Sequence, residues 1–480
     1  MAEGGVVYTR SETGSDHRHS GLYSRHSRNY VENVSVAICT IMTRLGYGEE
    51  IRRWRVEKYR KKDRLWNKIL TDCMNKILTD CIVITAGSKA EGLTSFFESD
   101  MDMLFILKHV LCVEAGTNLD TIPDDIDVFR MDTRVYPGHC ILLQERPATM
   151  RNELINNSLC DNGYGDVLLS SCLWKDYILC NNLNIPPFFG HFAKPTGPSI
   201  PAVALGIISQ DNVNAIPCHC PSILQRWAAR PRHWPSPVIV QKVVSLGAWV
   251  TPVGHKGSDY KHMEWRICFN IGETELVNNL NETQAKVYVI LKMILKDLLK
   301  PTNKEITSYV LKNIILWQAE NTQPTEFHER SLLHWLHDGL RQLRTAIDKK
   351  QLCYYMIPER NLMAACGLED ALQSKWVADI TDMMDEGPRV ILRLEKIRMA
   401  IVASPEPMLW FSQKRMEVEI LYLELINRVT QIIYENGEFD LGFLALVFNL
   451  SLNVNDVLER IHHEGNPAIG LIDVLNRLLM

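Results

Sequence analysis

Cys81–Ala86, CIVITA, is an apolar run rich in β-branched residues that stops at Gly87. That pattern predicts a buried strand running into a turn. Asp100–Leu107 (DMDMLFIL) predicts a second strand, and Asp211–Ile216 (DNVNAI) and Glu264–Asn270 (EWRICFN) two more. Pro- and Gly-rich loops, Lys194–Pro201 and Pro231–Pro237, lie between them. From about Val31 to Asp80 the period is helical, with a polar break at Gly46–Gly48. After Asn281 helical patterns take over. Asn281 with Gln284 makes an N-terminal cap pair, Thr283–Leu299 is amphipathic, a further helix is expected over Thr307–Glu320, and residues 325–480 are mostly helical between Pro and Gly breaks. Residues 1–30, rich in Ser, Gly, His and Arg without a period, predict a disordered tail. The expected fold class is α+β, with a mixed sheet in the first half and an all-helical second half.

At 480 residues the chain can hold two to four domain-sized units or one bilobed body, and its 46% hydrophobic and 23% charged residues are those of a globular protein. No uninterrupted apolar run of about 18 residues is found, so a transmembrane helix and stable membrane insertion are not expected. The N-terminal stretch lacks the apolar centre of a signal peptide. Thirteen irregularly spaced cysteines point to reduced thiols and a cytoplasmic location. Cys218-His219-Cys220 is too compact for a four-ligand site, so no zinc is expected.

The net charge of −5 is unevenly spread. Residues 1–80 hold 15 Lys and Arg against 10 Asp and Glu; the rest hold 37 against 47. The excess is densest at Ile51–Lys68, where nine cations (Arg52, Arg53, Arg55, Lys58, Arg60, Lys61, Lys62, Arg64, Lys68) meet two acids. NKILTDC then occurs twice, at 67–73 and 75–81. Eight residues overshoot two helical turns by about 80°, so the copy rotates the apolar face and is too short for a structural repeat.

The chemistry gathers at GSKAEGLTSFFESDMDML, residues 87–104. On a strand, residues two apart share a face, so Asp100 and Asp102 project side by side. Two carboxylates that close repel unless a cation sits between them. Mg²⁺ or Mn²⁺ binds such oxygens together with substrate phosphates. Gly87 lets backbone approach a ligand, and the Ser88 hydroxyl can join exposed N–H groups around a triphosphate. Asp211, opening another strand, is the candidate third carboxylate. An isolated D-x-D is more often a solvated strand edge or turn; the order Gly-Ser, then D-x-D, each preceded or followed by strand, favours a site. No G-x-S-x-G, Walker-type or dinucleotide glycine motif is present.

Taken in order, Gly87-Ser88, Asp100-Met101-Asp102, Asp211-Asn212-Val213-Asn214-Ala215, Glu264–Phe269 (EWRICF) with Glu273, Ile290-Leu291-Lys292, Ser308–Lys312 (SYVLK) and Tyr355–Leu362 (YMIPERNL) resemble the signature of the cyclic GMP–AMP synthase-like and male-abnormal nucleotidyltransferases. The resemblance runs from about residue 80 to 370. It implies a bilobed nucleotidyltransferase fold: a tail (1–30), a catalytic lobe with a basic spine helix (31–280), a helical lobe (281–370) and a helical extension (371–480). It implies that Asp100, Asp102 and Asp211 bind two Mg²⁺ or Mn²⁺. Gly87 and Ser88 would hold the donor triphosphate, Arg266 would lie near the acceptor base and Glu273 near the ribose or metal side. Lys292, Ser308 and Lys312 would line the donor site; the last two, four apart on a helix, share a face. The usual alternative for both lysines is a solvated helix surface.

Between Glu273 and Lys292 there is no His or Cys, so the family's zinc ribbon is absent, as in its invertebrate members, and Cys268 stands where serine is common. The implied reaction is metal-assisted phosphoryl transfer between ATP, GTP or other NTPs, closing a cyclic dinucleotide in innate immune signalling. The basic stretch Arg52–Arg64 then becomes a candidate face for a nucleic-acid activator, double-stranded RNA before DNA; its plain alternative is a solvated charged face. A catalytically silent scaffold and a templateless polymerase remain open beside the synthase.

Overall fold

The computed structural model describes residues 21–464, apart from 74–80, 151, 162, 164, 182–190, 193–196, 205–207, 302–304, 404 and 436. Its first half holds twelve strands among the described residues: β1 (Cys81–Ala86), β2 (Met101–Leu107), β3 (Val110–Val113), β4 (Asp127–Asp132), β5 (His139–Arg146), β6 (Leu159–Asp161), β7 (Val167–Leu169), β8 (His191–Phe192), β9 (Ser199–Ala204), β10 (Ile208–His219), β11 (Ala248–Thr251) and β12 (Glu264–Cys268). The main order is β1-β2-β10-β11-β12-β5-β4-β3, and β3 also returns to pair with β10. The sheet is mixed: β2 runs antiparallel to β1 and parallel to β10. The long β10 therefore joins two regions, pairing with β2 and β9 in its first half and with β11 and β3 in its second.

The expected strands are found, CIVITA with the same bounds. DNVNAI lies inside the longer β10, and β12 stops at Cys268 because Asn270 already opens the helix Asn270–Asn278. The loop expected over Lys194–Pro201 gives way to β9 from Ser199. Asn281 and Gln284 form a reciprocal capping box at the start of the helix Glu282–Met293, and Ser308–Asn321 follows. Both helices are buried on nearly every side, unlike the amphipathic reading of the first, because they form the centre of the helical half.

The spine helix, Glu49–Cys73, lies along the free edge of β1. Its side chains satisfy that edge: Val83 N–H donates to Asn67 Oδ1, Asn67 Nδ2 to Val83 O, and Thr85 N–H to Asp63 Oδ2, each at 2.8 Å. An edge strand covered this way cannot template pairing with another chain. The first NKILTDC copy ends this helix; residues 75–80 of the second lie outside the described residues.

Two expectations change, and the C-terminal extension finds a packing partner. The tail expected over residues 1–30 is folded from residue 21, with Leu22 buried and the helix Arg28–Met42 beginning inside it; residues 1–20 lie outside the described residues. The C-terminal extension packs against the spine helix through Pro405–Glu435. Finally, Leu441–His463 is a 23-residue helix long and apolar enough to cross a membrane by length and composition, with only 6% of its apolar window buried. Scattered Asn and Ser hide this in a search for an unbroken apolar run. Its C-terminal half packs through Val457 and Ile461 onto Phe411 and Val418, while Leu441, Leu444, Phe448 and Leu452 are exposed.

Candidate active site

Parallel pairing of β10 with β2 sets Asp211 directly opposite Asp102. On the other side of β2, Asp102 pairs with Ala86, the last residue of β1, so the Gly87 turn closes over the carboxylate. Gly87 has φ +64°, and a Cβ there would stand 1.9 Å from Asp102 Oδ2. Only glycine both adopts this backbone and leaves the oxygen its space. Burial and then the Asp211 carboxylate push the Asp102 pKa up to about 6, with smaller contributions from Glu91 and Asp100. Ser199 Oγ donates to Asp211 Oδ1 at 2.7 Å, holding that carboxylate toward β9.

Asp100 precedes β2 and is exposed. Among the described residues no group of three His, Cys, Asp or Glu side chains stands close enough to hold a metal ion. The expected three-carboxylate cluster is thus not formed: Asp102 and Asp211 are brought together, and Asp100 is beside them without completing the set. Like charges keep such groups apart, and Asp211 leans on Ser199. The donor chemistry still fits a hard divalent cation: two facing carboxylates, one with its acid form favoured by the other, under a glycine that leaves one oxygen bare.

Lys292 Nζ donates to Ser88 Oγ at 2.6 Å, and burial lowers the lysine's pKa. Lys312 is buried too, with Glu91 at 2.5 Å and Glu273 at 3.7 Å. Neither lysine is a solvated surface residue. Glu273 accepts from the hydroxyls of Tyr309 and Tyr354, both at 2.7 Å. The structure therefore links Ser88–Lys292 and Lys312–Glu273 into the walls around Asp102. Ser308, first in its helix, is exposed, and its carbonyl accepts from the Tyr288 hydroxyl at 3.5 Å. Arg266 lies on β12 opposite Thr251 and His139.

Sequence reasoning missed Glu91, Ser199, Tyr309 and Tyr354. Glu91 lies four residues after Gly87, the spacing of one helical turn, which was the available signal; Ser199 had none.

The basic stretch needs correction. Arg55 is buried against Glu419 with side-chain exposures of 1% and 0%. Arg52 is buried and donates to the carbonyls of Val277 and Leu280. Lys62 is buried against the sulfurs of Met101 and Met103, and Lys58 pairs with Glu424. These four fasten the helix to the body and are not free for phosphates. The cause is the return of the C-terminal helices and the sheet onto that side. The outward face keeps Arg53, Arg60, Arg64 and Lys68, with Lys61 at its margin; their positions recur at helical spacing. Arg53 is tied to Glu49 and Arg60 to Glu275.

Residues 283–378 match the family model described as the Mab-21 protein HhH/H2TH-like domain. The chain is 27% identical over 143 residues to a cyclic GMP-AMP synthase-like receptor of Aethina tumida, covering 30% of this chain and 35% of that protein. It is 27% identical over 182 residues to one of Ctenocephalides felis, covering 36% and 40%. The matches span well under half the length of these curated relatives.

Proposed function

Because the chain belongs to the cyclic GMP–AMP synthase-like, Mab-21 family, we propose that it is a nucleotidyltransferase that joins two NTPs into a cyclic dinucleotide. The catalytic lobe (31–280) and helical lobe (281–370) of a bilobed nucleotidyltransferase fold hold the reaction between them, in the cytoplasm, as a step of innate immune signalling. The observation that supports it most is the pairing of Asp102 with Asp211 under Gly87.

Asp102 and Asp211, joined by Asp100, would hold Mg²⁺ or Mn²⁺; such ions, when bound, make a nucleotide hydroxyl more acidic and neutralise phosphate charge. The chain's own groups do the positioning. Gly87 admits the triphosphate close to backbone, Ser88 donates to its oxygens, and Lys292 orients the Ser88 hydroxyl while adding positive charge. Lys312 is held by Glu91 and Glu273 at the wall of the same space. Arg266 faces the acceptor side.

The test is incubation of the full chain with labelled NTPs and Mg²⁺ or Mn²⁺, with and without long double-stranded RNA or DNA. A phosphatase-resistant dinucleotide supports the proposal. A ladder of products would identify a polymerase, and no product under any ligand a silent scaffold. In the same assay Lys292→Ala should raise KM for NTP roughly tenfold, the worth of one charge-assisted hydrogen bond, and more than it lowers kcat.

Double-stranded RNA is the proposed activator, on the outward face of the spine helix. Lys61→Glu with Arg64→Glu should weaken RNA binding and flatten its salt dependence by about 0.9 in log–log slope per lost phosphate contact. An unchanged slope would remove this face as the platform.

A further inference from the structure

The helix Leu441–His463 is held on the body by one face. Its C-terminal turns pack through Val457 and Ile461. Ion pairs fix its direction along Pro405–Glu435: Arg428 with Asp440, Lys414 with Asp456 at 2.8 Å, and Arg460 with Glu406 at 2.9 Å. Leu441, Leu444, Phe448 and Leu452 recur at spacings of three and four, so they form one stripe. All four are exposed, Leu441 by 84% and Phe448 by 63%, and Ile433 and Phe439 continue the apolar surface across the preceding turn. A surface helix ordinarily turns its charged face outward. Here the outward face becomes polar only at Asn455, Asp456 and Glu459.

The chemistry of this stripe suits hydrocarbon. Residues 441–455 carry no charge. They extend about 22 Å as a helix, short of the roughly 30 Å of a bilayer's hydrocarbon core. The helix therefore cannot span a membrane while its other face stays packed; it can lie along one. Its polar side chains are turned back on their own backbone: Ser451 Oγ donates to Val447 O at 2.9 Å, and Asn453 Nδ2 to Asn449 O at 3.1 Å. Groups satisfied this way ask nothing of a lipid neighbour, whereas a protein interface carries about one hydrogen bond per 100–200 Å². A second copy fits poorly as well. Six half-exposed apolar side chains offer on the order of 500 Å², against the roughly 800 Å² each partner gives a stable interface.

Charge at the rim is balanced. Asp440, the acid nearest the stripe, is paired with Arg428. Lys68 is exposed near the end of the spine helix, and its Nζ lies 5.6 Å from the centre of the Tyr434 ring, beside the same turn. Glu435 and Glu438 are exposed there too. Apolar insertion rather than charge must then supply most of the attraction.

We propose that this stripe docks reversibly on a phospholipid bilayer. The helix lies in the membrane plane, with Leu441, Leu444, Phe448 and Leu452 set about 5–10 Å into the boundary between headgroups and acyl chains, and Lys68 among the headgroups. The membrane site does not rest on the nucleotidyltransferase reading.

The experiment is flotation of the full chain with vesicles of phosphatidylcholine alone and of phosphatidylcholine mixed equally with phosphatidylserine. Wild type should float with both. Leu444→Gln and Phe448→Gln leave every charge in place and should each weaken binding about tenfold. Val238→Gln removes an exposed apolar side chain from the helix Pro237–Leu246 and should leave binding unchanged. Lys68→Gln should weaken binding to the mixed vesicles severalfold and to phosphatidylcholine not at all. Thermal melting without vesicles should be the same for wild type and both stripe variants, because the replaced side chains are exposed. No flotation of wild type, or wild-type affinity in both stripe variants, would overturn the proposal. A wild-type dimer in light scattering that Phe448→Gln separates, with no flotation, would overturn it in favour of a second copy.

Discussion

If the chain is the proposed synthase, Asp102→Asn should abolish dinucleotide formation, by roughly 10²–10³-fold or more, the usual cost of removing a group that stabilises transition-state charge. The same substitution should stabilise the protein in EDTA. Asp102 has its pKa raised from 3.8 to about 6 by burial and by Asp211. A carboxyl whose folded pKa lies above its unfolded value binds protons more tightly in the folded state. The fold is therefore unpenalised below about pH 4 and loses stability as pH rises to 6, above which the cost is complete. Two pKa units bound that cost at about 3 kcal/mol. Wild type should thus melt lower relative to Asp102→Asn at pH 7.5 than at pH 4.5. A variant less stable than wild type at both values would remove the electrostatic argument, whatever its activity.

Glu419→Ala should be among the most destabilising single changes, at about 3–5 kcal/mol. Glu419 accepts from Arg55 Nε at 3.0 Å and Nη2 at 2.8 Å, and from Phe96 N–H at 2.8 Å. Its loss strands a buried guanidinium and orphans a buried amide. Arg55 also donates to Gly46 O at 2.8 Å, so one ion pair joins the helix break, the spine helix, the loop after Gly87-Ser88 and the C-terminal helix. Nearby, Glu98 binds Arg415, Lys396 and Tyr47 in the same interface. The paired change Arg55→Met with Glu419→Leu should recover most of the loss, because apolar side chains of similar volume carry no desolvation cost. Urea denaturation of the three variants tests this; a Glu419→Ala loss under about 1 kcal/mol would show the pair to be solvated.

What the sequence reveals here depends on range. CIVITA and the Asn281–Gln284 cap are decided within a few residues by β-branched side chains and by reciprocal hydrogen bonds, and both stand as read. The carboxylates were legible as types on strands, since a period of two assigns a face. Their partnership was not, because alternation says nothing of which strand neighbours which: Asp102 and Asp211 meet through a register between positions 109 apart in the chain. Asp100 fell outside because the paired stretch begins only at the next residue, Met101. The basic helix misled for the same reason. Arg55 looks like its neighbour Arg53 in any local window, and only Glu419, 364 residues away, makes it a buried anchor. Arg360 reaches the start of β5 beside Gly138, whose role appears only when Arg360 lies against it.

The central claim is that Asp102 and Asp211, with Asp100, gather divalent ions opposite the Gly87–Ser88 turn. Crystals grown with Mn²⁺ and a non-hydrolysable ATP analogue, measured for anomalous scattering, test it directly. The account predicts manganese peaks between the Asp102 and Asp211 carboxylates, with Asp100 turned in and the triphosphate against Ser88 and Lys292. Manganese absent from that position while the nucleotide is bound, or a nucleotide bound away from Ser88, would contradict it.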